Sequence, residues 1–128
     1  EGFVPLPVAT RDPAVGSPVT VISHPKNLFY MVTTGTVARH ALESTAAGTV
    51  RRLNVTADFA KGSSGAPVLD DQGNVVAIVA STRSIYYDEE AGKRDNLQMV
   101  VHTCIPAAAL RELVKDVPPR RLNRSVRP

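Results

Sequence analysis

Six residues, Gly62-Ser63-Ser64-Gly65-Ala66-Pro67, constrain this chain more than any other stretch. Two glycines frame a pair of serines, a proline follows, and Val68-Leu69 opens a β-rich run. Such a segment fits a sharp loop that holds one hydroxyl at a surface. Glycine tolerates the dihedrals the loop needs, aims backbone N–H groups at one point and lets another molecule come close.

The surrounding sequence reads as β-runs separated by turn signals. The runs are Pro18 to Ser23, Phe29 to His40, Thr49 to Ala57, Ala66 to Leu69, Asn74 to Ser81 and Asn96 to Ile105. Gly35 lies at the centre of the second run and predicts a bend or bulge of the kind barrels use at corners. Asp70-Asp71-Gln72-Gly73 predicts a tight hairpin turn. Val4-Pro5-Leu6 adds a short edge piece, and the polar stretch Tyr86 to Asp95 reads as a surface loop between the last two strands. Six strands at this spacing suggest a sandwich or a small barrel. Closure is favoured because it removes exposed edges.

A helix is expected over Pro106 to Lys115, with proline near its first turn and a Leu110/Leu113/Val114 stripe as its packing face. Two segments follow from this reading: a globular unit over 1–117 and a basic, proline-containing tail over 118–128. At 128 residues the chain is long enough for one modest core.

Charge is uneven. Arg111, Lys115, Arg120, Arg121, Arg124 and Arg127 face only Glu112 and Asp116 over the last eighteen residues. This reads as a solvated tail rather than a nucleic-acid site, because the three Tyr and three Phe are scattered and form no stacking platform. No apolar run approaches the ~18 residues of a membrane helix, so no membrane partner is expected. The opening Glu1-Gly2-Phe3-Val4-Pro5 lacks the basic start and apolar stretch of a signal peptide. The lone Cys104 sits in an apolar run and reads as a buried thiol. The three histidines and this cysteine lack the short spacings metals favour, so neither a metal nor a cofactor is expected. Gly62 to Gly65 leads into Pro67 and a strand, unlike a phosphate-binding loop.

Taken in order, the chain shows a Gly-x-x-Val strand, an Ile-Ser-His-Pro turn and a Thr-Gly-Thr-Val strand. Then come Thr56-Ala57-Asp58-Phe59-Ala60-Lys61 leading into Gly62-Ser63-Ser64-Gly65-Ala66-Pro67-Val68-Leu69, an Asp-x-Gly hairpin, Val75-Val76-Ala77-Ile78-Val79, and Ile105-Pro106 before the helix. This order resembles the C-terminal half of bacterial trypsin-like (chymotrypsin-fold) serine peptidases, over roughly residues 4–116. The resemblance implies an all-β fold: a six-stranded antiparallel Greek-key barrel, one half of a two-barrel enzyme, with a C-terminal α-helix.

It also implies site residues. Ser64 matches the nucleophile, and the N–H groups of Gly62 and Ser64 match the oxyanion hole. Asp58 falls at the base of the primary specificity pocket, with the far wall at Ala80, Ser81 and Thr82. Asp58 either prefers Lys or Arg side chains through charge pairing or is an exposed loop acid with no substrate role. Thr82 stands where members specific for basic residues usually carry glycine, which narrows the pocket. Ser63 replaces the acid that animal enzymes pair with a freed N-terminus, so that route of activation is not expected.

A serine nucleophile needs a base within reach and a third group to orient it. By the resemblance, both come from a first barrel that this sequence lacks. His24, His40 and His102 do not match the catalytic position and read as structural or surface residues. Lys61 reads as a solvent-facing rim residue rather than half of a Ser-Lys dyad. The expected function is therefore serine endopeptidase action on a protein or peptide substrate, with this chain supplying nucleophile and oxyanion hole and inactive alone. The alternative is a non-catalytic β-barrel module for peptide binding or assembly. The expected partners are the missing N-terminal barrel and a second copy, a homodimer formed through the face the first barrel leaves open.

Overall fold

Apolar residues at alternate positions, broken by turn residues, close this chain into a barrel. The computed structural model describes residues 4–118. Its strands are β1 (Pro18–Ser23), β2 (Met31–Thr45), β3 (Gly48–Val55), β4 (Pro67–Leu69), β5 (Val75–Glu90) and β6 (Lys93–Pro106), followed by helix α1 (Ala107–Val114). The strands neighbour one another in the order β1-β2-β3-β6-β5-β4 and close back onto β1, with every pairing antiparallel. This is the six-stranded Greek-key barrel with a C-terminal helix that the sequence predicts.

The period-2 pattern is clearest in β1, where Val19, Val21 and Ser23 are buried and the residues between them are not. Val19 and Val21 meet Val37, Leu53, Val55, Ala57, Phe59, Val68, Val76, Ala77, Val79 and Cys104 in one core. Valine dominates because a β-branched side chain packs well on a pleated, curved sheet. Cys104 is fully buried, and desolvation pushes its thiol up to about 12, so it behaves as a small apolar residue.

The β4–β5 turn forms as expected. The Asp70 N–H donates to Asn74 O at 3.0 Å and the Gly73 N–H to Asp70 O at 3.1 Å. The Asp70 carboxylate accepts the N–H of Gln72 and of Asn74 and the Asn74 side-chain amide. Burial raises this carboxyl, but these hydrogen bonds outweigh it and hold the group below its usual range.

Four features differ from the sequence reading. The stretch Tyr86 to Asp95 is the outer part of one long β5–β6 hairpin, and only Ala91 and Gly92 turn. It is polar because both faces meet solvent, and its ladder sets Glu89 opposite Arg94 and Glu90 opposite Lys93. Asp88 faces Asp95, and the repulsion is met by Asn96, whose amide donates to Asp88 at 2.7 Å, and by Lys93, 3.1 Å from Asp95.

The bulge in β2 lies between Val37 and Arg39, not at Gly35. Gly35 serves a close approach: a Cβ there would stand 2.3 Å from the Ala57 amide nitrogen. The N-terminal edge piece is shifted from Val4–Leu6 to Val8, which bridges Val75 in parallel. Last, the expected stripe on α1 packs only in part among the described residues, through the half-buried Leu110. Ala107 is buried, whereas Leu113 and Val114 are exposed. The Arg111 guanidinium instead ties the helix to the Ala9 carbonyl.

The tail predicted from residue 118 lies, from 119 onward, outside the described residues. Among the described residues no helix is long and apolar enough to cross a membrane.

Candidate active site

The segment between β3 and β4 carries the serine loop across one end of the barrel. Its shape comes from backbone hydrogen bonds on both sides of Ser64. The Ser63 N–H donates to Ala60 O at 3.0 Å and the Ala66 N–H to Ser63 O at 3.0 Å. The Gly65 N–H donates to Val79 O at 2.9 Å, and the Val79 N–H returns to Ala66 O at 2.9 Å. The loop is thereby strapped to β5. On the other flank the Lys26 N–H donates to Lys61 O at 3.0 Å, which fastens it to the β1–β2 turn.

This scheme commits the Ser63 and Gly65 amides and leaves those of Gly62 and Ser64 without a partner among the described residues. The Ser64 side chain is exposed, whereas Ser63 is buried with its hydroxyl 3.1 Å from that of Ser23. The two adjacent serines thus have opposite tasks. Ser63 anchors the loop to β1 and Ser64 stands outside. The anchoring role was not legible in the sequence, because nothing in the spacing of Ser23 and Ser63 marks them as partners.

Gly62 adopts a φ of +100°, and a Cβ there would lie 3.1 Å from both His24 O and Lys26 N. Gly62→Ala is therefore expected to cost about 1–3 kcal/mol through backbone strain and to turn the Gly62 N–H away from its present direction. Urea denaturation of the chain reads the first effect. A midpoint equal to that of the parent protein would show that the loop yields freely here.

The Ser64 hydroxyl donates to Ala80 O at 3.3 Å. None of the three histidine rings bonds to it. His24 Nδ1 accepts the Tyr30 N–H at 2.8 Å, and the ring rests against Phe29 and Tyr30. His40 Nε2 donates to Pro13 O at 2.8 Å, since a carbonyl can only accept. His102 is buried, stacks edge-on against Phe59 and places Nε2 3.6 Å from Asp58 Oδ1. Lys61 is exposed.

The residues expected to bind substrate divide into two groups. Ala80 lies beside Ser64 through the hydrogen bond just described. Asp58 and Ser81 line a cavity of about 660 Å³ formed by residues of β2, β3, β5 and β6, together with Thr56, Arg83, Val101 and His102. Ser64, Ala80 and Thr82 do not line it. The Asp58 side chain is 86% exposed, and its backbone carbonyl accepts the Thr33 hydroxyl at 2.6 Å. The sequence reads His102 as structural or surface and gives no sign of its contact with Asp58, which is made only by the closing of the barrel.

The barrel, its Greek-key order and the strapped serine loop define a trypsin-like serine protease fold. The trypsin-like peptidase domain family matches residues 1–78, more than half of the chain, and the chain belongs to that family. No curated protein matches the sequence. Among solved structures, the inactive form of the Rv3671c protease of M. tuberculosis superimposes with a TM-score of 0.66 at 19% identity, over 87% of this chain and 53% of that one. The MamO protease domain of Magnetospirillum magneticum gives 0.59 at 19% identity, over 83% and 51%. A serine endoprotease of Yersinia pestis gives 0.56 at 22% identity, over 87% and 36%. The chain thus spans about half, or less, of the length of these proteins.

Proposed function

We propose that this chain is the nucleophile-bearing barrel of a serine endopeptidase. The observation that carries the reading is an exposed Ser64 flanked by two N–H groups, those of Gly62 and Ser64, that the loop leaves free. In the proposed reaction Ser64 Oγ attacks the peptide carbonyl carbon, and its proton passes to a histidine. The negative carbonyl oxygen is held by the two N–H groups, each donor of this type being worth ~2.7–4 kcal/mol in the transition state. The amine leaves with the proton, and water then cleaves the acyl ester. The histidine and its orienting aspartate come from a first barrel outside this sequence, since His24, His40 and His102 are all engaged elsewhere. Asp58, Ala80, Ser81 and Thr82 contact the protein or peptide substrate, and Asp58 favours Lys or Arg. The test is intact mass after treatment with a fluorophosphonate, for the chain alone and for the chain produced with its upstream region. Labelling at Ser64 in the second sample only is the expected result, and none in either sinks the reading.

A second reading, a non-catalytic barrel that binds peptides or serves assembly, is favoured by the bond from the Ser64 hydroxyl to Ala80 O. Peptide binding without turnover by the complete protein distinguishes it.

The chain by itself also exposes the contiguous run Leu28-Phe29-Tyr30-Met31-Val32. An apolar surface of this kind supports self-association, proposed as a homodimer. Static light scattering is expected to show a mass that rises toward the dimer with concentration. A strictly monomeric chain at high concentration refutes it.

A further inference from the structure

His102 and Asp58 both line the 660 Å³ cavity and lie side by side there. His102 is buried. Its own strand pairs His102 with Thr82 of β5 and with Val55 of β3, and the Phe59 ring lies 4.7 Å away. Its Nε2 lies 3.6 Å from Asp58 Oδ1. Asp58 is open to solvent, so it is free to meet a ligand, while His102 is held in place behind it.

We infer that His102 governs the charge of the Asp58 site, which takes a cationic Lys or Arg side chain only when the His102 ring is neutral. The inference rests on Asp58 being a substrate contact, as proposed above. When His102 carries a proton, its imidazolium cancels the Asp58 charge at 3.6 Å, and an incoming cation meets a neutral pair. When the proton leaves, Asp58 loses the positive charge nearest to it. Histidine is the side chain whose charge changes near neutral pH. By reciprocity, a bound cation must expel the proton from His102.

Four other charged groups line the cavity. Arg39 and Glu43 come from β2, Arg52 from β3 and Arg83 from β5, and Glu43 is paired with Arg52 at 2.6 Å. The arginines stay charged throughout. His24 and His40 have partners away from this cavity.

The test is calorimetric titration of the protein with benzamidine, an aromatic amidinium that keeps its charge over the range used. Binding is expected to tighten about tenfold between roughly pH 5.5 and pH 8. Titrations in buffers of different ionisation heat are expected to show proton release at the acid end. In His102→Gln and His102→Asn the affinity is expected to stay at the tighter value with no proton release. In Asp58→Asn binding weakens at every pH. If binding needs Asp58 but shows no pH dependence and releases no proton, the role of His102 is overturned while that of Asp58 stands. If benzamidine does not bind, or binds Asp58→Asn equally well, the Asp58 reading fails and takes the inference with it. Proton release from the parent protein decides the matter even if neither His102 variant folds.

Discussion

Gly35→Ala is expected to destabilise the barrel by about 3 kcal/mol or more, although it adds a single methyl group. The added carbon would stand 2.3 Å from Ala57 N, 2.6 Å from Thr56 Oγ1 and 2.7 Å from the Thr56 carbonyl carbon. Two of these are backbone atoms, so no side-chain rotation relieves the clash. That backbone is itself fixed. The Thr36 N–H donates to Thr56 Oγ1 at 2.8 Å, and the Thr56 N–H donates to Thr36 O at 2.9 Å. Ala57 and Phe59 beyond it are buried in the core. Room for the methyl comes only by pushing β2 away from the Thr56–Ala57 segment, which breaks these bonds and loosens the core beneath. The expected readout is a fall in melting temperature on the order of 10 °C. A melting temperature within about 2 °C of the parent would show that the two segments part without cost.

On the proposed peptidase reading, Ser64→Ala is expected to abolish activity of the chain joined to its upstream region, with kcat falling by about a millionfold, and to remove fluorophosphonate labelling entirely. The companion variant Ser63→Ala separates the two serines. Ser63 is buried and bonded to Ser23, so its loss should cost about 1 kcal/mol of stability and leave labelling at position 64 in place. The chain alone should resist labelling even with Ser64 intact. Its hydroxyl is directed to Ala80 O, and no histidine lies in hydrogen-bond contact to draw off the proton. Labelling that persists in Ser64→Ala and disappears in Ser63→Ala would overturn the assignment of the nucleophile.

Local chemistry was the legible part of this sequence. The Asp70–Gly73 turn is written in an aspartate and a glycine at the positions the hydrogen bonds require, and the structure places it there. The alternation in Val19-Thr20-Val21-Ile22-Ser23 identifies β1 and its inner face. Where burial does not drive the pattern, the reading failed. The outer β5–β6 ladder has no inner face, so its alternation carries no hydrophobic signal and it resembled a loop. The α1 stripe failed in part, for the opposite reason: Leu113 and Val114 have helical spacing, but the described part of the chain offers them nothing to cover. Contacts made by closure were invisible as well. Ser23 with Ser63 and Asp58 with His102 are each joined by the barrel rather than by spacing along the chain.

The way the barrel closes has a consequence for when the serine loop exists. Strands β1 to β3 form one continuous meander and β4 to β6 a second. The seams between them are narrow, two residue pairs from β1 to β4 and three from β3 to β6. The loop bearing Ser64 is the only chain link between the two meanders, and its straps reach into both: Lys26 beyond β1 on one side, Val79 in β5 on the other. Neither meander can shape the loop alone. A nascent or half-unfolded chain therefore presents a slack serine segment with no converging N–H groups. The present placement of the Gly62 and Ser64 N–H groups therefore depends on both meanders being docked together.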